Sequence, residues 1–184
     1  MIVGIPILLV AVAVLVWQVE SGDEDELLDV AEKLEAARAR DGIAEYAEGM
    51  RLLARPTTDP QGAVRHLERS AHEGYAPAQY QLSVALRDGV GVVADQDRAL
   101  IWLRLAAEAG EPRAQLELGQ MYLEGRGVAR NVVTGYAWLN VAAARGAPGA
   151  HEARNAARLA MSPAEADASE AEAKRFMELR LPNH

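Results

Sequence analysis

Two stretches decide the fold: Ala78–Gly110 reads AQYQLSVALRDGVGVVADQDRALIWLRLAAEAG, and Ala114–Gly146 reads AQLELGQMYLEGRGVARNVVTGYAWLNVAAARG. Laid over one another without a gap, they pair Leu82 with Leu118, Trp102 with Trp138 and Gly110 with Gly146. The same register reaches outward. Leu67 falls on Leu103 and Leu139, Ala71 on Ala107 and Ala143, Gly74 on Gly110 and Gly146, and Ala78 on Ala114 and Ala150. Self-similarity at one fixed spacing is the mark of a stacked-repeat architecture, in which each unit buries its apolar face against its neighbours.

Each unit reads as two antiparallel helices. Ala78, Leu82 and Leu86, and their counterparts Ala114, Leu118 and Tyr122, recur every fourth residue and line one face of a first helix. Gly89 and Gly125 end it, because glycine takes up the left-handed conformation of a helix C-cap without a Cβ clash. Asp95 and Asn131 are suited to cap a second helix, which buries Ala99, Trp102, Leu103, Ala106 and Ala107, or Trp138, Leu139, Ala142 and Ala143. Gly110 and Gly146 stop that helix, and Pro112 and Pro148 follow two residues on. The expected hairpins run over 42–77, 78–113 and 114–149. The first is degenerate, with Leu53, Arg55 and Pro56 where the others carry loop residues and His66 in the tryptophan position.

The pattern Ala114-x-x-x-Leu118-Gly119-x-x-Tyr122-x-x-Gly125-x-Gly127-Val128, followed by Trp138, Ala142, Ala143 and Gly146, resembles the Sel1-like repeat, a relative of the tetratricopeptide repeat. The resemblance covers about residues 42–149. It implies an all-α, right-handed solenoid used as an adaptor or scaffold, frequently in bacterial envelope and signalling assemblies.

Outside the repeats, Ile2–Trp17 is apolar apart from Gly4 and Pro6. As a helix it would be about 24 Å long at ~1.5 Å per residue, against a hydrocarbon core of about 30 Å, and Gln18 and Val19 can extend it. No basic residue precedes it and no small-x-small cleavage pattern follows. Residues 1–19 are therefore expected to be an uncleaved single-span inner-membrane anchor. The flank after it is acidic, with Glu20, Asp23, Glu24, Asp25 and Glu26, so little holds that side in the cytoplasm and the solenoid is expected in the periplasm. Residues 20–41 read as an acidic linker and an amphipathic helix marked by Leu27, Val30, Ala31 and Leu34. Residues 150–184 read as capping helices, one over His151–Leu159 and one started by Ser162-Pro163-Ala164-Glu165 and running to about Leu179.

The chain offers little chemistry. It has no cysteine, which excludes disulfides, thiolate nucleophiles and Cys-bound metals. Its four histidines, His66, His72, His151 and His184, are not in a metal-ligand spacing, and no Gly-x-Ser-x-Gly elbow is present. The glycine pairs at 89/91 and 125/127 lack the Lys-Ser or Lys-Thr of a phosphate loop. A net charge of −8 without a dense basic run argues against nucleic acid. The acidic clusters 23–29 and 165–172 read as solvated faces. No cofactor, metal or small-molecule substrate is expected.

What remains is protein binding. A solenoid's concave face is lined by the first helix of each hairpin. Subtracting the positions assigned to the core leaves Gln79, Tyr80, Ser83 and Arg87 in one unit and Gln115, Leu116, Gly119 and Leu123 in the next as candidate groove residues. In the anchor, the small residues Gly4 and Ala11 are the candidate contacts with other membrane helices. Three functional classes follow: an accessory or assembly subunit of an integral membrane complex, a tethered envelope adaptor for soluble or peptidoglycan-associated proteins, and, with the least support, an envelope-polymer hydrolase.

Overall fold

A computed structural model of the chain describes residues 24–54 and 59–178. The expected anchor, with Gly4 and Ala11, lies outside the described residues. Among those described, no helix is long and apolar enough to cross a membrane. The described chain forms eight helices: α1 (Glu24–Leu53), α2 (Pro60–His72), α3 (Ala76–Asp88), α4 (Gln96–Glu108), α5 (Pro112–Glu124), α6 (Val132–Ala144), α7 (Ala150–Leu159) and α8 (Pro163–Glu178). The chain divides into two compact units, 1–41 and 42–184. The described part of the first is helical and solvated, with Lys33 paired to Asp29 at 2.6 Å one turn away. Where a linker and a separate helix were expected, α1 runs unbroken through Gly42. The segment between is rich in Ala, Arg and Glu, strong helix formers that outweigh the roughly 1 kcal/mol cost of an interior glycine.

The second unit is an all-α solenoid. Its hairpins share one backbone recipe. Gly89 and Gly125 close α3 and α5 with φ/ψ of 70/29° and 75/27°, and Asp95 and Asn131 open α4 and α6 at −147/101° and −147/103°. The cap side chains accept from Arg98 N at 3.0 Å and Thr134 N at 3.1 Å. The Asp95 and Asn131 amides reach back to the carbonyls of Leu86 and Tyr122, at 2.8 and 2.9 Å, and fix the loop between. Asp59 begins α2 in the same way, accepting from Gly62 N at 2.7 Å. The first hairpin thus keeps the cap although it lacks the loop glycines.

The core runs along the stack as successive clusters. Leu82, Leu86, Val64 and Ala99 pack between α2, α3 and α4, with Tyr46, Tyr75 and Trp102 at the edge. Leu103, Ala106, Ala107, Ala114, Leu118 and Trp138 form the next cluster, and Ala142, Ala143, Ala147 and Ala150 the one after it. Gly119 and Gly135 bring α5 and α6 close: a Cβ on Gly135 would lie 2.9 Å from the Gly119 carbonyl oxygen. Helix α6 is buried on nearly every side, as a helix apolar all round must be.

Its last side is covered by α8. Ser162 and Glu165 form the expected reciprocal cap, with Ser162 N donating to Glu165 Oε2 at 2.8 Å and Glu165 N to Ser162 Oγ at 3.3 Å. From there α8 lies along α6 rather than pairing with α7, and Phe176 stacks on Trp138 with ring centroids 4.4 Å apart. Trp102 and Trp138 hold the same register, but Trp138 is buried under this stack while Trp102 is half-open and meets His72 edge to face at 5.2 Å.

Candidate functional site

The first helices of the second and third hairpins, α3 and α5, together with the loop after α5 and the turn between α6 and α7, border an open groove of about 420 Å³. Tyr80, Arg113, Leu116, Glu117, Gln120, Arg126 and Pro148 line it. Glu117 organises its charge. The carboxylate accepts from Arg87 Nη1 at 2.6 Å, which joins α3 to α5 across the groove edge, while Arg87 Nε donates to Asp88 at 2.8 Å. The bond that Arg87 donates to Asp88 and the charge of Glu117 raise the Arg87 pKa above its usual value. Burial, then the negative charge of Glu117, raises the Tyr80 phenol above its ordinary range, so Tyr80 stays a neutral ring with a hydroxyl able to donate. An aromatic, an aliphatic side chain and charges of both signs on adjacent ridges suit a protein surface better than a small ligand.

The eight groove candidates divide here. Tyr80 and Leu116, one repeat apart, line the groove, and Arg87 sits at its edge. The others turn inward. Gln79 and Gln115 are buried, and their Nε2 atoms donate to the carbonyls of Ala71 and Ala107 at 3.2 and 3.0 Å, tying each first helix to the end of the preceding hairpin. Ser83 is buried and donates to Tyr80 O at 2.7 Å. Gly119 is at the α5–α6 crossing, and Leu123 packs where a Cβ on Gly135 would be. The reason is rotational. Positions 79, 83, 115 and 119 each follow a core residue and turn into the stack, 79 and 115 toward the preceding hairpin and 119 toward α6, whereas positions 113, 116, 117 and 120 border the groove or its edge. Arg113, Glu117 and Gln120 of α5 lie outside the expected groove set for that reason, while Arg126 and Pro148 reach the groove from the loops after α5 and α6. The signal was present in α5, where these polar residues alternate with the core pair Ala114 and Leu118 at helical spacing.

His66, in the tryptophan position of the first hairpin, places Nδ1 2.5 Å from Glu45 Oε2, and Arg69 lies 3.5 Å from the same carboxylate. The bond with His66, and then the positive charges of His66 and Arg69, outweigh partial burial and lower the Glu45 pKa. The neighbouring hydroxyl does not complete a nucleophile: Ser70 is buried and donates to Gly42 O at 2.6 Å. The contact fastens α2 to α1. Among the described residues, no group of three or more His, Asp or Glu is placed to hold a metal ion.

Comparison with known proteins bears on what such a stack is for. The chain is similar to c5321, a protective antigen present in uropathogenic Escherichia coli strains and displaying an SLR fold. They share 28% identity and a TM-score of 0.67 over 84% of this chain and 33% of that one, so this chain spans about a third of its length. A Sel1 repeat protein from Oxalobacter formigenes is 40% identical over 50% of this chain and 68% of its own, with a TM-score of 0.48. No curated protein matches. The Sel1 repeat matches residues 37–75, 76–111 and 112–146, well over half of the sequence, in step with the hairpins α1–α2, α3–α4 and α5–α6. The chain is a member of the Sel1 repeat family, an all-α solenoid of the kind that serves protein–protein interaction.

Proposed function

We propose that this protein is a non-catalytic scaffold that holds an integral membrane partner in the α3–α5 groove, as an accessory or assembly subunit of a bacterial inner-membrane complex. The groove carries this reading: Tyr80 of α3 and Leu116 of α5 supply apolar contact, and Arg113 of α5 and Arg126 of the loop after it flank them with positive charge, beside the first helices that in a repeat stack line the concave side. Residues 1–19 would act as a single-span tether, with Gly4 and Ala11 against other membrane helices and the solenoid in the periplasm. Tethering raises the local concentration of the solenoid beside its partner, so a modest groove affinity suffices.

Purification of the tagged full chain from native membranes in mild detergent tests the proposal. An integral protein should co-purify in stoichiometric amount, persist when residues 1–19 are exchanged for an unrelated anchor, and be lost from a Tyr80→Ala/Leu116→Glu variant that keeps its helical circular dichroism. Recovery of soluble envelope proteins alone would replace the subunit reading with the adaptor. Protease added outside spheroplasts should degrade the solenoid; protection until lysis would reverse the proposed orientation.

A further inference from the structure

We propose that the outer face of α4 is a second docking surface, separate from the groove, for an acidic amphipathic helix of a partner protein. The chain itself displays the chemistry of the occupant one repeat further on. On α6, Ala137 and Val141 are buried beneath α8, where they cluster with Ala173 and Phe176. Trp138 stacks on Phe176, and Thr134 Oγ1 donates to Glu172 Oε1 at 3.0 Å. The residues that occupy the same four places on α4 are Arg98, Ile101, Trp102 and Leu105.

Among the described residues of the second unit, no helix lies over them as α8 lies over α6. Ile101 is 56% and Leu105 40% exposed, and Trp102 is only partly shielded. These side chains are larger and more apolar than the Ala137–Val141 pair that α8 buries, so the uncovered face offers the greater area for burial. Charge selects the occupant. Arg98 stands where Thr134 meets Glu172, so a carboxylate at the equivalent point of a docked helix would gain a charged partner in place of a hydroxyl. Arg98 is held only loosely by Glu68, at 3.8 Å, and Arg104 is exposed one turn from Ile101. Helix α8 shows the matching type: alanines, a serine and a phenylalanine along one face, Glu172 at its edge against Thr134, and Glu165, Asp167 and Glu170 outnumbering Lys174 and Arg175 on the rest. A second copy of this chain is a poor occupant, since its α8 would have to leave α6 and uncover Ala137, Trp138 and Val141 in exchange.

A synthetic peptide with the sequence of residues 163–178, stapled between the exposed positions 164 and 168 and carrying a photo-crosslinking group at position 176, serves as the probe against the full chain in mild detergent. The expected result is saturable binding with crosslinks on α4 around Trp102. Ile101→Glu/Leu105→Glu should weaken it by roughly a hundredfold, the scale of losing two interface anchors. Arg98→Glu should weaken it about tenfold, the scale of one lost charged contact, with recovery when peptide Glu172 is changed to Lys. Both variants alter exposed residues, and unchanged circular dichroism separates lost binding from lost fold. Absence of binding, crosslinks confined to α6 through displacement of the chain's own α8, or unchanged affinity in the Ile101/Leu105 variant would overturn the proposal.

Discussion

Gly91 and Gly127 occupy the same place in successive hairpin loops, both at positive φ, 72° and 67°. Any other residue pays the left-handed penalty of about 1–2 kcal/mol there. Their surroundings differ. A Cβ on Gly91 would fall on the Pro60 carbonyl, whereas one on Gly127 would meet only the flexible end of Met121 at 3.3 Å. Gly91→Ala should therefore lower stability clearly more than Gly127→Ala in chemical denaturation, and equal costs would mean that the Gly91 loop does not rest on α2. Glu45 gives a pH signature. Its folded pKa lies below the ordinary 4.5, so the stabilisation is fully present above that value and is lost as pH falls through the lower folded value. Thermal melts of Glu45→Gln should show a shallower loss of stability below about pH 4.5 than the parent chain, provided the other carboxylates titrate alike. Identical acid limbs would remove the Glu45–His66 contact from the account.

At the level of helices, the tryptophans show how far a repeat pattern can be read. The register predicted matching inter-helix sites, and the backbone places both residues on second helices at one spacing. Burial follows neighbours, however, and only Trp138 lies under α8. Trp138→Ala should cost about 3–5 kcal/mol, and Trp102→Ala distinctly less. Equal losses would contradict the packing of α8 on α6. The cap chemistry of Asp95, Asn131 and the Ser162–Glu165 box was legible because local hydrogen bonds fix helix ends. The seat of α8 was not, because no local signal says whether an amphipathic helix pairs with its predecessor or lies across an earlier one. Gln79 and Gln115 show the same limit: polar side chains next to core positions read as surface, yet each caps a carbonyl of the preceding hairpin. Replacing Gln115 by Ala should cost about 1 kcal/mol, the net worth of one hydrogen bond, since the Ala107 carbonyl keeps the bond from Gly110 N.

The whole molecule joins a repeat stack whose fold follows from periodicity to a proposed function centred on one groove. Spacing, glycine caps and alternating small and large apolar residues made the solenoid legible, whereas helix rotation, which decides that Glu117 and Gln120 rather than Gln115 and Gly119 face outward, emerges only when neighbouring helices are packed. The most direct test of the central claim is site-specific photo-crosslinking in native membranes. A crosslinking residue at position 116 or 120 of the full chain should trap one integral membrane protein, and the same group at exposed position 159, on α7 and outside the groove lining, should not. Adducts with no membrane protein at 116 and 120, or equal adducts at 159, would contradict a scaffold that works through this groove.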